Sequence, residues 1–255
     1  MAKCILKVEN LNKSYGTTQV LYDIDFELYE GELVSIIGPS GAGKSTLLRC
    51  INRLTDPAEG SKIIFDGKDI AELNKKELME VRKQIGMIFQ HYNLVYRLSA
   101  LENVLHGRLG SYSALRGALS LYSDEDVNRA SEILDILGLS DRKYYPCKDL
   151  SGGQKQRVGI GRALIQDPKI ILCDEPIASL DPQSSKIIME HLRDISKDLG
   201  IPCLVNLHQV DVAQMYSDRI IGINSGKIVF SGKAEDLKEH HFEEIYGAKI
   251  EEIFA

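Results

Sequence analysis

The chain has 255 residues, 44% of them hydrophobic and 27% charged, with a formal net charge of −6. That length allows one large domain or two small ones with a substantial core, and the acidic balance lacks the basic surplus typical of a protein that coats nucleic acid, though it leaves room for a local basic patch. No apolar run approaches the roughly 18 to 20 residues that cross a bilayer, no secretory leader is evident, and the five cysteines form no C-x-x-C pair, so free thiols are expected rather than disulfides or zinc.

Cys4 to Glu9 and Gln19 to Leu28 alternate apolar and polar residues, as half-buried antiparallel strands do. Tyr15 sits in the turn between them, where an aromatic face can stack on a nucleotide base. Leu33 to Ile37 is a short apolar run that predicts a buried strand, and Thr46 to Ile51 predicts the following helix. Between them lies Gly38-Pro39-Ser40-Gly41-Ala42-Gly43-Lys44-Ser45, with Thr46 directly after. It fits the phosphate-loop pattern G-x-x-x-x-G-K-[ST] at every fixed position. The glycines let backbone N–H groups close on an anion at a helix N-terminus. Lys44 is then expected to reach the β- and γ-phosphates, and the Ser45 hydroxyl to ligate Mg²⁺.

Lys62 to Phe65 predicts a strand closed by Asp66-Gly67, Lys75 to Lys83 a charged helix, and Ile85 to Phe89 a second apolar strand ending at Gln90. His91 to Leu98 reads as loop, Ala100 to Arg108 as helix, and Gly110 to Tyr122 as loop. Ser123 offers an N-cap to a helix whose Val127, Ala130, Ile133, Leu134 and Leu137 share one face, with Gly138 as its stop. Residues 91 to 150 thus read as a mostly helical insertion in an α/β core.

Leu150-Ser151-Gly152-Gly153-Gln154 opens a helix running to about Gln166. Ser151 can cap it, and the two glycines leave N–H groups uncovered, which makes a second anion-binding helix end. A single nucleotide does not need two such ends from one chain. Lys169 to Cys173 and Pro202 to Leu207 are apolar strands running into Asp174-Glu175 and His208. Between them a helix carries Ile187, Ile188, Leu192, Ile195 and Leu199 as an expected buried stripe, so a mainly parallel sheet is predicted. Of two carboxylates at a strand end, Asp174 can hold Mg²⁺ through water and Glu175 can activate an attacking water. His208 is placed to contact a γ-phosphate. The other five histidines have no comparable setting.

In this order the pieces resemble the ATP-binding subunits of ABC transporters over essentially the whole chain, with Leu150 to Gln154 as the specific signature. The resemblance implies a phosphate-loop ATPase fold of the ABC type: residues 1–90 and 151–232 form the ATPase core with an antiparallel β-subdomain, 91–150 a helical subdomain, and 233–255 a short helical tail. It implies that Tyr15 stacks on adenine, Gln90 senses Mg²⁺ and the membrane subunit, and Asp174 holds Mg²⁺. Glu175 becomes the catalytic base, Asp181 the D-loop aspartate and His208 the switch histidine. It also implies ATP and Mg²⁺ as ligands and a head-to-tail pair of copies in which the signature of one covers the ATP of the other, accounting for the surplus anion site. Integral-membrane permease subunits, a solute-binding protein reached through them, and a place on the cytoplasmic face of the membrane complete the expectation.

A narrower resemblance, to the ATPases of phosphonate importers, rests on Asn103 to Gly110, Gln156 to Leu164, Asp174 to Pro182 and His208-Gln209-Val210-Asp211. Leu207 and Gln209 stand where many related importers carry a threonine and an acidic residue. Cys173 replaces an aliphatic residue, His106 a small one. The alternatives are a phosphate, phosphite or polar amino acid importer and, outside transport, an ABC-type ATPase acting on nucleic acid or ribosomes. The single cassette, acidic balance and lack of sustained heptads speak against the last.

Overall fold

A computed structural model describes residues 2–247. Strands β1 (Cys4–Tyr15) and β2 (Thr18–Tyr29) pair antiparallel and run longer than the alternating pattern alone indicated, so Tyr15 ends a strand. With β4 (Lys62–Phe65) and β5 (Lys68–Asp69) they form a four-stranded sheet in the order β2-β1-β4-β5.

The second sheet has six strands. β3 (Leu33–Ile37), β6 (Ile85–Ile88), β7 (Ile170–Asp174), β8 (Cys203–Asn206) and β9 (Arg219–Asn224) pair in parallel, and β10 (Lys227–Lys233) joins antiparallel at one edge. The order β10-β9-β3-β8-β7-β6 needs crossovers, and helices supply them. Every residue of β3, β6, β7 and β8 is buried, which is why these strands read as continuous apolar runs.

The two faces of that sheet belong to different cores. Val34, Ile36, Ile170, Leu172 and Leu204 pack under α1 (Lys44–Ile51) and the four-stranded sheet. Leu33, Ile37, Ile171, Cys173, Cys203 and Val205 pack against the helical side, following the period of two that a strand imposes. There α3 (Ala100–Leu105) and α5 (Asp124–Ile136) pack on each other and on α6 (Gly152–Leu164), which in turn meets α7 (Pro182–Leu199). The remaining helices are α2 (Lys75–Arg82), the short α4 (Ala114–Ala118), α8 (Val210–Tyr216) and α9 (Glu239–Tyr246).

Four expectations are corrected. α3 ends at Leu105 and tightens into a 3₁₀ turn over His106–Ser111. The stretch from 110 to 122 contains α4, capped by Ser113. On α7, Ile187 is half-buried and Leu199 is 60% exposed; the buried stripe is Ser185, Ile188, Met189, Leu192, Ile195 and Ser196. Small polar residues hold stripe positions because close packing rewards size as well as hydrophobicity. The expected tail at 233–255 begins on the last residue of β10 and includes α9, and residues 248–255 lie outside the described residues. All five cysteines are free, and among the described residues no helix is long and apolar enough to cross a membrane.

Candidate functional site

β3 delivers the chain into the loop, and α1 begins at Lys44 with Gly43 as N-cap. Gly43 has φ 104°, and a Cβ there would come within 2.8 Å of Leu21 and 3.2 Å of the Val20 carbonyl. Only glycine meets both demands. Among the described residues no side chain caps this helix, so its first N–H groups stay available to an anion.

Lys44 is only 4% exposed, and its ammonium donates to the carbonyls of Gly38 at 2.7 Å and Pro39 at 3.0 Å. Burial pushes its pKa below the ordinary lysine value, opposed by the charges of Glu175 and Asp174. The loop therefore wraps a cation that has lost its water, and a phosphate at this point would restore an anionic partner.

A cavity of about 200 Å³ beside the loop is lined by Val20, Ser40, Gly41, Gly43, Lys44, Ser45, Thr46, Glu175 and His208. Residues from four separate stretches thus converge where the loop points. Val20 had no functional signal in the sequence, because its role comes from β2 passing over Gly43. Glu175 follows the end of β7 with φ 53°, a left-handed conformation that a long side chain adopts only when its surroundings impose it. His208 Nε2 lies 2.7 Å from Glu175 Oε1. With the glutamate ionised, the imidazole N–H donates.

Asp174, 7% exposed, accepts at Oδ1 from the Ser45 hydroxyl at 2.7 Å and from the Asn206 amide at 3.0 Å. Among the described residues, its Oδ2 has only Arg49 within ion-pair range, at 3.9 Å and half in solvent. A buried carboxylate with one largely uncommitted oxygen beside a hydroxyl suits a hard cation that takes its remaining ligands from phosphate and water. Among the described residues no cluster of three or more His, Cys, Asp or Glu is placed to hold a metal ion.

Other expected site residues stand apart. Tyr15 is exposed, with the Lys13 ammonium 4.9 Å from its ring centre. Gln90 is half-buried just past β6 and does not line the cavity. The loop after it is held by Asn103, which accepts from Val95 N–H at 2.8 Å and donates to carbonyls of that loop, and by Arg162, which donates to the Tyr92 and Asn93 carbonyls. Ser151 caps α6 and accepts from Gln154 N–H at 3.3 Å, while Gln154 Oε1 accepts from Ser151 N–H at 2.9 Å. Asp181 caps α7 by accepting from Ser184 N–H at 2.9 Å, and hydrogen bonds from the Ser184 hydroxyl and then its backbone N–H hold the carboxyl below the usual value. Ser151 to Gln154 and Asp181 do not reach the cavity on their own chain.

The fold and the loop together define a phosphate-loop nucleotide-binding protein. A family model described as ABC transporter matches residues 21–178. The "Phosphonates import ATP-binding protein PhnC 2" of Oceanobacillus iheyensis is 58% identical over 250 residues, covering 98% of each chain. An ATP-binding cassette of an ABC transporter in its ADP conformation superposes with a TM-score of 0.84 at 30% identity, covering 99% of this chain and 98% of that one. A dimeric cassette in a post-hydrolysis state, bound to ADP and Pi, gives 0.79 at 34% identity, covering 91% of this chain and all of that one. The chain belongs to the ABC transporter family, as an ATP-binding cassette.

Proposed function

We propose that this chain hydrolyses ATP to power a phosphonate importer. The observation that carries the hydrolytic reading is the convergence of Lys44, Ser45, Thr46, Glu175 and His208 on one cavity. The cargo rests on the likeness to phosphonate-import ATP-binding proteins across nearly the whole chain.

In this reading the α1 N-terminus and Lys44 hold the β- and γ-phosphates, and Tyr15 stacks on the adenine. Ser45, Asp174 and Gln90 would hold Mg²⁺, which supplies charge neutralisation on the phosphates. Glu175 accepts the proton of a water whose oxygen attacks the γ-phosphorus. The bond to the bridging oxygen breaks, and ADP leaves with the electron pair. His208 exchanges its contact with Glu175 for the γ-phosphate, which frees the carboxylate and reports that substrate is present.

Ser151, Gly152, Gly153 and Gln154 of a second copy close the site from the far side, with Asp181 at the seam; the dimeric arrangement of a similar cassette supports this. Permease subunits dock where Gln90 and its tethered loop meet the helical subdomain, placing the chain at the cytoplasmic face of the membrane. A solute-binding protein delivers the cargo to them.

The test is ATPase stimulation of the assembly reconstituted with its permease and solute-binding protein. Phosphonates are expected to stimulate, and phosphate and phosphite to do so less. Glu175→Gln should bind ATP normally and hydrolyse roughly 10²–10⁴-fold more slowly. No response to any phosphonate overturns the cargo; near-normal turnover in the variant overturns the role of Glu175.

A further inference from the structure

Asn206 is fully buried at the end of β8, on the face that Leu204 shares with the apolar core under α1. A primary amide in such a place costs free energy unless its polar atoms find partners. β7 and β8 run parallel with Asp174 directly opposite Asn206, about 4.8 Å apart as neighbouring strands are. The amide nitrogen donates to Asp174 Oδ1 at 3.0 Å. A carboxylate only accepts, so the amide cannot turn its oxygen to that side without setting two acceptors against each other. Asn206 Oδ1 has no partner among the described residues. The side chain therefore stands in an apolar setting with half its capacity unmet, and its single bond goes to Asp174.

We infer that Asn206 is a positioning residue that fixes the Asp174 carboxylate for the metal accompanying the nucleotide. This rests on the reading of Asp174 given above. Oδ1 now holds two bonds, one from Ser45 and one from Asn206. They set the plane of the carboxylate and leave Oδ2 free of either bond, with the partly solvated Arg49 as its only ion-pair neighbour among the described residues. When the Ser45 hydroxyl turns its oxygen to a metal ion, its hold on Asp174 weakens. Asn206 is attached to a different strand and has no reason to move. Its bond is what then keeps the carboxylate from rotating, and a carboxylate held in one orientation binds a metal-bound water more tightly than one that must be ordered first.

The full chain, a fluorescent ATP analogue and Mg²⁺ are enough to test this. Analogue affinity is measured in EDTA and then against rising Mg²⁺. Asn206→Val, which removes the donor at similar size, is expected to leave affinity in EDTA unchanged and to raise the Mg²⁺ concentration for half-maximal enhancement roughly 10-fold. Mn²⁺ titrated by electron paramagnetic resonance should weaken in parallel. Asn206→Thr, with a hydroxyl that can donate, should recover part of the shift, and it serves as the second variant if Asn206→Val does not fold. Asp174→Asn separates the two claims. If it shifts the Mg²⁺ requirement and neither Asn206 variant does, the role of Asn206 is overturned while that of Asp174 stands. If Asp174→Asn has no effect, the reading of Asp174 falls, and the inference with it.

Discussion

Two helices of this chain start at glycine-rich turns. At α1 the cap is Gly43, no side chain among the described residues caps the first N–H groups, and a buried lysine lines a cavity. At α6 Ser151 and Gln154 cap each other's backbone, and Gly153 lies against α7, where a Cβ would come within 2.7 Å of Ser184 Oγ. In the function proposed above, the first is a phosphate cradle open within one chain. The second satisfies part of its own N-terminus, and its glycines serve packing as well as access. An anion drawn to the first meets a preformed site, whereas one drawn to the second must be presented by another surface.

The largest expected effect separates the two starts directly. Lys44→Ala removes a desolvated cation from the cradle and should weaken nucleotide binding by roughly 10- to 100-fold, the worth of a charge-assisted hydrogen bond. Equilibrium binding to the full chain measures it, and unchanged affinity would deny that α1 is the primary phosphate site. Next, Gly153→Val drives a branched side chain into Ser184 and should cost about 1–3 kcal/mol in denaturant unfolding. Monomeric ATP binding should survive while ATP-dependent pairing fails. Loss of binding in the monomer would mean that the two starts are not separable.

The smallest effect concerns pH. Asp181 caps α7 next to the α6 start, and hydrogen bonds from Ser184 hold its carboxyl below the usual value of 3.8. A depressed carboxyl gives stability that is present above its unfolded value and lost as pH falls through the lower folded one. The melting difference between the native chain and Asp181→Ala should therefore be full near neutrality and shrink below about pH 4. A difference that persists into acid would mean that the cap does not depend on charge.

Much of the fold was legible because its signals are local. β3, β7 and β8 announce themselves as apolar runs, Ser123 and Gly138 bracket α5, and Gly38 to Ser45 carries a full phosphate-loop pattern between strand and helix. What escaped was set by neighbours distant in sequence. Leu199 fits the apolar period of α7 yet is 60% exposed, while Ile195 and Ser196 one turn earlier are buried. α4 is too short to show a period. Val20 and Asn206 carry no motif; one enters the site because β2 crosses Gly43, the other because β8 stands in register with β7.

The sequence by itself determined the phosphate loop, the strands and helices that carry a clear period or apolar run, and the residue types that point to nucleotide chemistry, because propensity, period and motif act over a few residues. Only the tertiary structure decided which of those residues meet. It joined His208 to Glu175, placed Asn206 on Asp174, and left Tyr15, Gln90 and the Ser151 to Gln154 start outside the cavity. Strand order and register make those choices, and they are fixed by burying two faces of one sheet against two different cores, a condition that no short stretch of chain contains.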